Sequence, residues 1–324
     1  MMFLARHVLL ATILALVSPW VMAQAFPSKP LRIIVPFPAG GPVDGLGRAL
    51  GRALSDSLGQ PVIVENKPGA NTMIGGEFVA KADPDGYTYL LATDATVSIS
   101  PFVYAKMSYD PQADLVPVSV LTHVPEYLFV GTHVPANTLQ EFIAHVKSRP
   151  GQLNYGSYGV GSSGHLEFEA LKMATGIDVT HIPFKGAAEV YPAMLAGRID
   201  AAISSVVLPL PHVRAGKIKA IVVMGPQRTS VLPNVPTFKE SGVPGFEANP
   251  WFGLLAPAKT PTAILDRMTA EVSRIVGSQD FRERSIDAVG LAPAPLGRGY
   301  FSDLLKSDLE KYRQYVKNAN IKPE

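Results

Sequence analysis

The 324-residue sequence contains no cysteine. That excludes a disulfide framework, a thiolate nucleophile, an iron–sulfur cluster and a lipid-modified N-terminal cysteine. Charge is also sparse, at 17% of residues, with 29 basic side chains against 27 acidic ones and no long run of either sign. Neither nucleic acid nor a membrane surface is an expected partner of so balanced a chain. Beyond the N-terminal stretch, no apolar segment reaches the roughly 20 residues that a spanning helix needs. Catalytic signatures are missing too: there is no Walker loop, no His-Glu-x-x-His and no Gly-x-Ser-x-Gly elbow. Tandem repeats and low-complexity segments are absent, which sets aside solenoid and linker architectures.

What remains is 47% hydrophobic, the composition of an ordinary globular protein. The length suits two lobes, because single cores stop growing at about 250 to 300 residues. Residues 1–25 read as a secretory leader: Arg6 supplies the positive start, Val8 to Val17 the apolar stretch, and Ala23-Gln24-Ala25 a small-x-small cleavage site. A mature chain beginning at Phe26 is expected, with a cut after Ala23 as the competing choice. The expected location is the periplasm, as a monomer.

Strand and helix signals alternate along the chain. Residues 31–36 form a β-branched run, followed by the turn Phe37-Pro38-Ala39-Gly40-Gly41-Pro42 and by helix-spaced Val43, Leu46, Leu50, Leu54 and Leu58. The series continues with a strand at 61–64, a helix at 74–82, a strand at 87–92 and an apolar stretch at 116–130. A second series opens at the capping box Thr138-Leu139-Gln140-Glu141. It runs through strands at 153–156, 179–183, 201–204 and 218–224, with helices at 163–175 and 187–196 between them. After a proline-rich passage, a strand at 251–256 precedes helices at 262–276 and 300–319. Such alternation predicts parallel sheets in two doubly wound α/β lobes. In such sheets a ligand binds beyond the carboxyl ends of the strands, at the loops 37–42, 93–96, 156–164, 184–186 and 204–207.

Two of these loops have the chemistry of an anion site. Gly40 and Gly41 precede Pro42, a residue suited to the first helical position. The free N–H groups and the dipole behind them would attract a carboxylate or phosphate, although a glycine pair also serves a plain tight turn. Asp44 is expected to offset the dipole rather than to touch a ligand. The loop from Gly156 to His165 repeats the arrangement in the second lobe. There Ser162 or Ser163 can cap the helix and leave other amides for an anion, and Tyr158 can either line the cleft or pack beneath it. Gly159 to Gly164 also matches Gly-x-Gly-x-x-Gly, but Asp178 opens the next strand instead of closing it, so a dinucleotide is not expected and no cofactor is assigned. His165, Glu167 and Glu169 diverge on a helix, which argues against a metal site and leaves His165 as a hydrogen bonder near the helix start.

Pro30 to Asp44, Gly59 to Ala70 and Asp83-Pro84-Asp85-Gly86-Tyr87-Thr88 carry a closer likeness, joined by Leu153 to Ser157, His181 to Gly186, Leu232 to Thr237 and Trp251 to Pro257. In these passages the chain resembles the substrate-binding proteins of tripartite tricarboxylate transporters, the Bug proteins, over nearly all of its mature length. The resemblance implies a type II periplasmic-binding-protein fold, with two lobes joined by two crossing strands and a hinged ligand cleft. The expected division is residues 26–123 with 248–324 for one lobe and 124–247 for the other.

The resemblance also implies capture of a small organic carboxylate, without catalysis, for small and large integral membrane subunits. The implied carboxylate contacts fall on Ala39, Gly40 and Gly41 and on Gly159 to Ser163, with Phe37 walling the cleft. The full expected binding set is Phe37, Ala39, Gly40, Gly41, Thr93, Asp94, Tyr158, Gly159, Ser162, Ser163, His165, Ser204 and Ser205. Ser204-Ser205 stands where many relatives carry an aspartate able to meet an amino group, so an amino-acid ligand is disfavoured. Val160 and Gly164 make the second loop less polar, which suits an aromatic or otherwise apolar-bodied carboxylate, and a dicarboxylate is also compatible. A carboxylate sensor for a membrane kinase and an exported enzyme are the competing readings.

Overall fold

A computed structural model describes residues 26–243, 250–318, 321 and 323. The expected leader at 1–25, the expected lobe boundary at 247/248 and the last residue of the expected final helix lie outside them. Among the described residues no helix is long and apolar enough to cross a membrane.

The first sheet combines β1 (Leu31–Val35), β2 (Val62–Asn66), β3 (Thr88–Thr93), β4 (Leu115–His123) and β10 (Trp251–Pro257) in the order β2-β1-β3-β10-β4. The second combines β5 (Glu126–Gly131), β6 (Asn154–Ser157), β7 (Thr180–Pro183), β8 (Ala201–Ser205) and β9 (Ile218–Val223) in the order β7-β6-β8-β5-β9. The apolar stretch at 116–130 is thus two strands, β4 and β5, one for each lobe, parted at Val124 and Pro125.

The expectation of parallel sheets needs correction. β1 pairs in parallel with β2 and β3, and β6 with β7 and β8, but β10 is antiparallel to both neighbours, and so is β5. The reason is topological. β5 and β10 are the strands delivered by a crossing from the other lobe, so they enter their sheets from the end where the βα units of those sheets finish. The two crossings touch: Val124 N–H donates to Pro250 O at 2.7 Å.

Local signals place the helices. α1 (Pro42–Leu58) starts on proline and ends where Gly59 takes the left-handed conformation with φ 66°. α2 (Met73–Ala80) and the short α3 (Ser100–Val103) follow in the first lobe, with a π-helical turn at Ala95–Ile99 between β3 and α3. α4 (Leu139–Lys147) is capped by Thr138, whose Oγ1 accepts from Glu141 N–H at 3.2 Å. The Glu141 carboxylate reaches back to Asn137 N–H at 2.7 Å, one residue earlier than the capping box predicts.

α5 (Ser163–Thr175), closed by Gly176, α6 (Ala187–Leu195) and α7 (Leu210–Arg214) complete the second lobe. α8 (Thr262–Val276), α9 (Gln279–Ser285) and α10 (Arg298–Asn318) return to the first. Each sheet is covered on both faces, with Leu46, Leu50 and Met268 on one side of the first sheet and Val79 and Phe301 on the other. Ile99, Val103, Tyr312 and Val316 of the first lobe pack with Leu166 of the second in a smaller cluster that spans the lobes.

Candidate functional site

The expected loops follow the carboxyl ends of the parallel strands, at 37–42 and 93–96 in the first sheet and at 156–164, 184–186 and 204–207 in the second. In the first lobe, the loop after β1 is exposed at Ala39 and Gly40, while Phe37 is half-buried against the core. Gly41 is the N-cap of α1 with no side-chain cap, so nothing from a side chain covers the helix start. The Gly40 N–H is already taken, donating to Asp44 Oδ2 at 2.9 Å. Asp44 also accepts from Arg48 Nε at 3.0 Å and from Asn66 Nδ2 at 2.9 Å. Burial alone would raise the Asp44 carboxyl, but these donors win and hold it below its ordinary range. Asp44 therefore ties the loop to β2, and Gly41 offers the freer backbone amide.

Thr93 ends β3 and Asp94 caps the π-helical turn after it, and both are buried. Thr93 N–H and Oγ1 lie 3.3 and 3.4 Å from Thr96 Oγ1. Asp94 accepts from Ala95 N–H at 2.9 Å and from the Tyr312 hydroxyl of α10. Burial pushes the Asp94 carboxyl up to about 7, against the pull of that hydroxyl.

In the second lobe the loop between β6 and α5 is held from below. Ser162 is the N-cap of α5, yet its hydroxyl donates to Gly159 O at 2.8 Å instead of closing on the helix. The side-chain cap that the sequence allowed is not made, and the amides at the start of α5 keep their freedom. His165 Nδ1 accepts from Gly161 N–H at 3.0 Å, so this histidine braces the loop. His181 pairs with Ser157 Oγ at 2.6 Å. The two imidazoles stack at 4.0 Å, and Tyr155 and Phe168 extend the column at 4.8 and 3.8 Å. Burial lowers both histidines, His181 to about 3 with help from its neighbour His165.

Tyr158 is half-buried and faces Ser204 and Tyr191. Ser204 is fully buried with its hydroxyl against that of Tyr191, while the half-exposed Ser205 lies opposite Glu126 across the β5–β8 ladder.

The lobes meet around this loop. A methyl group added at Gly161 would come within 2.9 Å of Val103, so α3 of the first lobe approaches the loop directly. Sequence reasoning missed Glu126, Tyr191, Lys311 and Tyr312, and weighed Glu167 only as a metal ligand; all five lie in the same region. A lone Glu126 inside the apolar stretch 116–130 was the signal available; the others sit on helices with no motif of their own.

The family model described as "Tripartite tricarboxylate transporter family receptor" matches residues 46–320. Protein BugT of Bordetella pertussis is 33% identical over 303 residues, covering 93% of each chain. The R. palustris protein Rpa4515, solved with adipate, superposes with a TM-score of 0.86 at 31% identity, covering 92% of this chain and all of that one. MatC from Rhodopseudomonas palustris, solved with malate, gives 0.81 at 32% identity, covering 90% of this chain and all of that one. The two mixed sheets, the double crossing and these likenesses have one reading: the chain belongs to the tripartite tricarboxylate transporter receptor family of periplasmic solute-binding proteins.

Proposed function

We propose that the protein captures a small organic carboxylate between its two lobes, releases it unchanged, and delivers it to a small and a large integral membrane subunit of a tripartite transporter. In this reading residues 1–25 direct export, the mature monomer works in the periplasm, and the lobes are 26–123 with 248–324, and 124–247. One observation carries it: each lobe presents a glycine-containing strand-to-helix loop whose helix start has no side-chain cap. Backbone N–H groups and two helix dipoles then hold an anion without a cationic side chain. The adipate and malate of the neighbours are small carboxylates. Phe37 and Tyr158 supply apolar surface for the body of the ligand, with the Gly41, Val160 and Ser163 amides on its carboxylate, since the Gly159, Gly161 and Ser162 N–H groups already donate within the loop.

Thermal denaturation of the mature protein, freed of carried-over ligand by unfolding and refolding, tests this against mono-, di- and tricarboxylates, aromatic acids and amino acids. A ligand at a hundred times its dissociation constant contributes about 2.7 kcal/mol, which raises the midpoint by about 5 to 10 °C. Selective shifts for one class of carboxylate support capture. A flat response across all of them, or turnover of the bound compound, removes this reading.

A further inference from the structure

The ligand-facing end of the second sheet holds two carboxyl groups with almost nothing to satisfy them. Glu126 opens β5, and Glu167 lies in the second turn of α5; they are 3% and 0% exposed. Glu126 Oε1 accepts from the Ser163 hydroxyl at 3.3 Å. The other Glu126 oxygen and both oxygens of Glu167 have no protein donor. The two carboxyls contact each other, and burial, followed by this contact, raises Glu167 well above its ordinary range.

The first lobe adds to the negative charge. Asp94, which follows β3, repels the pair electrostatically, while its own oxygens accept from Ala95 N–H and the Tyr312 hydroxyl. On α10, Lys311 approaches Asp94 and Glu167, but it is held by Asp308 at 2.7 Å. Tyr158 and Tyr191 from the second lobe and Tyr312 and Tyr315 from α10 complete the surroundings, all kept neutral by burial. Two touching carboxylates removed from water cannot both ionise unless a positive charge joins them. Among the described residues, no three His, Cys, Asp or Glu side chains are placed to hold a metal ion. The unpaired oxygens need hydrogen-bond donors, which a proton or an ammonium group provides. Glu126 stands directly opposite Ser205 across the β5–β8 ladder and places an acid at that level of the sheet.

We propose that Glu126 and Glu167, with the charge of Asp94 nearby, form a subsite for one hydrogen-bond-donating positive charge, supplied by the ammonium group of an amine-bearing carboxylate or, for a ligand without one, by a proton taken from solvent as the lobes close. The inference rests on the carboxylate-capture reading and adds a chemical demand to it. It also withdraws the ground for excluding amino-acid ligands.

Calorimetry on the full mature chain distinguishes the sources, using aspartate with succinate, glutamate with glutarate and 4-aminobenzoate with benzoate, each in two buffers of different ionisation heat. An ammonium source shows as an amine-bearing acid at least about tenfold tighter than its partner, with no net proton uptake, the preference vanishing in Glu167→Gln and Glu126→Gln. A proton source shows as uptake of about one proton per ligand and tighter binding at lower pH, both lost in Glu167→Gln, whose amide imitates the protonated acid. Carboxylates that bind wild type and both variants alike, without proton uptake or amine preference, overturn the subsite and leave capture standing. If no carboxylate binds, capture fails, and the pH dependence of the unliganded protein decides. Wild type must lose melting temperature relative to Glu167→Gln as pH rises from about 5 to 8, and coincident curves overturn the subsite.

Discussion

Asp44 shows how a residue beside the proposed binding loop differs from a residue in it. Its carboxylate collects the Gly40 N–H, Arg48 and Asn66 in one buried knot. Asp44→Ala leaves those donors without their acceptor and is expected to cost about 1 to 3 kcal/mol in a urea melt, with carboxylate affinity falling alongside. The sign with pH follows from the depressed carboxyl: the contribution is present above about pH 4 and is lost as pH falls through the lower folded value. Asp44→Asn should flatten that acid limb.

Two glycines make a sharper comparison. A methyl group at Gly164 would lie 2.3 Å from the Ile203 carbonyl oxygen, a backbone atom that cannot swing away. Gly164→Ala is therefore expected to destabilise by about 1 to 3 kcal/mol. Gly45 in α1 has nothing within 4 Å, and Gly45→Ala should stabilise by about 0.5 to 1 kcal/mol in the same assay. The first-turn position of Asp44 and the Gly-Gly-Pro helix start were legible in the sequence because they are local. Glu126 and Glu167 were not, since their meaning comes from strands and helices that are distant in sequence and meet only in the fold.

Among the elements, helix ends were the most legible. Caps, prolines and left-handed glycines are short-range chemistry, so α1, α4, α5 and α8 fall close to where the sequence predicts them. Thr138→Ala should cost about 1 kcal/mol through loss of the bond to Glu141 N–H, seen as a lower melting temperature. Strand direction was not legible, because an apolar run at 116–130 does not say which sheet receives each half or which way it runs. The break at Val124 and Pro125 settles both. α10 was legible as a helix but not as a bridge: its early part packs on the first sheet through Phe301, while Tyr312 and Val316 reach Leu166 of the second lobe. Tyr312→Phe removes the hydroxyl that Asp94 accepts from, so Asp94 should hold its proton to higher pH, measurable by carbon-13 NMR of the labelled carboxyl.

At the scale of the molecule, opposed titrations set a stability profile. Raised carboxyls make the folded state the better proton binder, so Asp94, Glu126 and Glu167 cost stability as pH climbs from about 4 toward the folded value of about 7 at Asp94. Depressed histidines act in reverse: His165 and His181 contribute stability above the unfolded value near 6.5, and it is lost as pH falls toward about 3 at His181. The melting temperature should therefore peak at mildly acidic pH, with Glu167→Gln moving the maximum upward. A peak that stays in place in that variant would deny the carboxyl pair its share.

The column of Phe168, Tyr155, His181 and His165 adds a spectroscopic consequence. Imidazole protons sandwiched between aromatic rings feel their circulating electrons and resonate far from solvent-exposed histidines. His165 grips Gly161 and His181 grips Ser157, the two ends of one loop. A ligand that shifts that loop is expected to tilt one ring against the next. If the loop holds the ligand as proposed, occupancy is expected to shift these imidazole resonances in a one-dimensional proton spectrum.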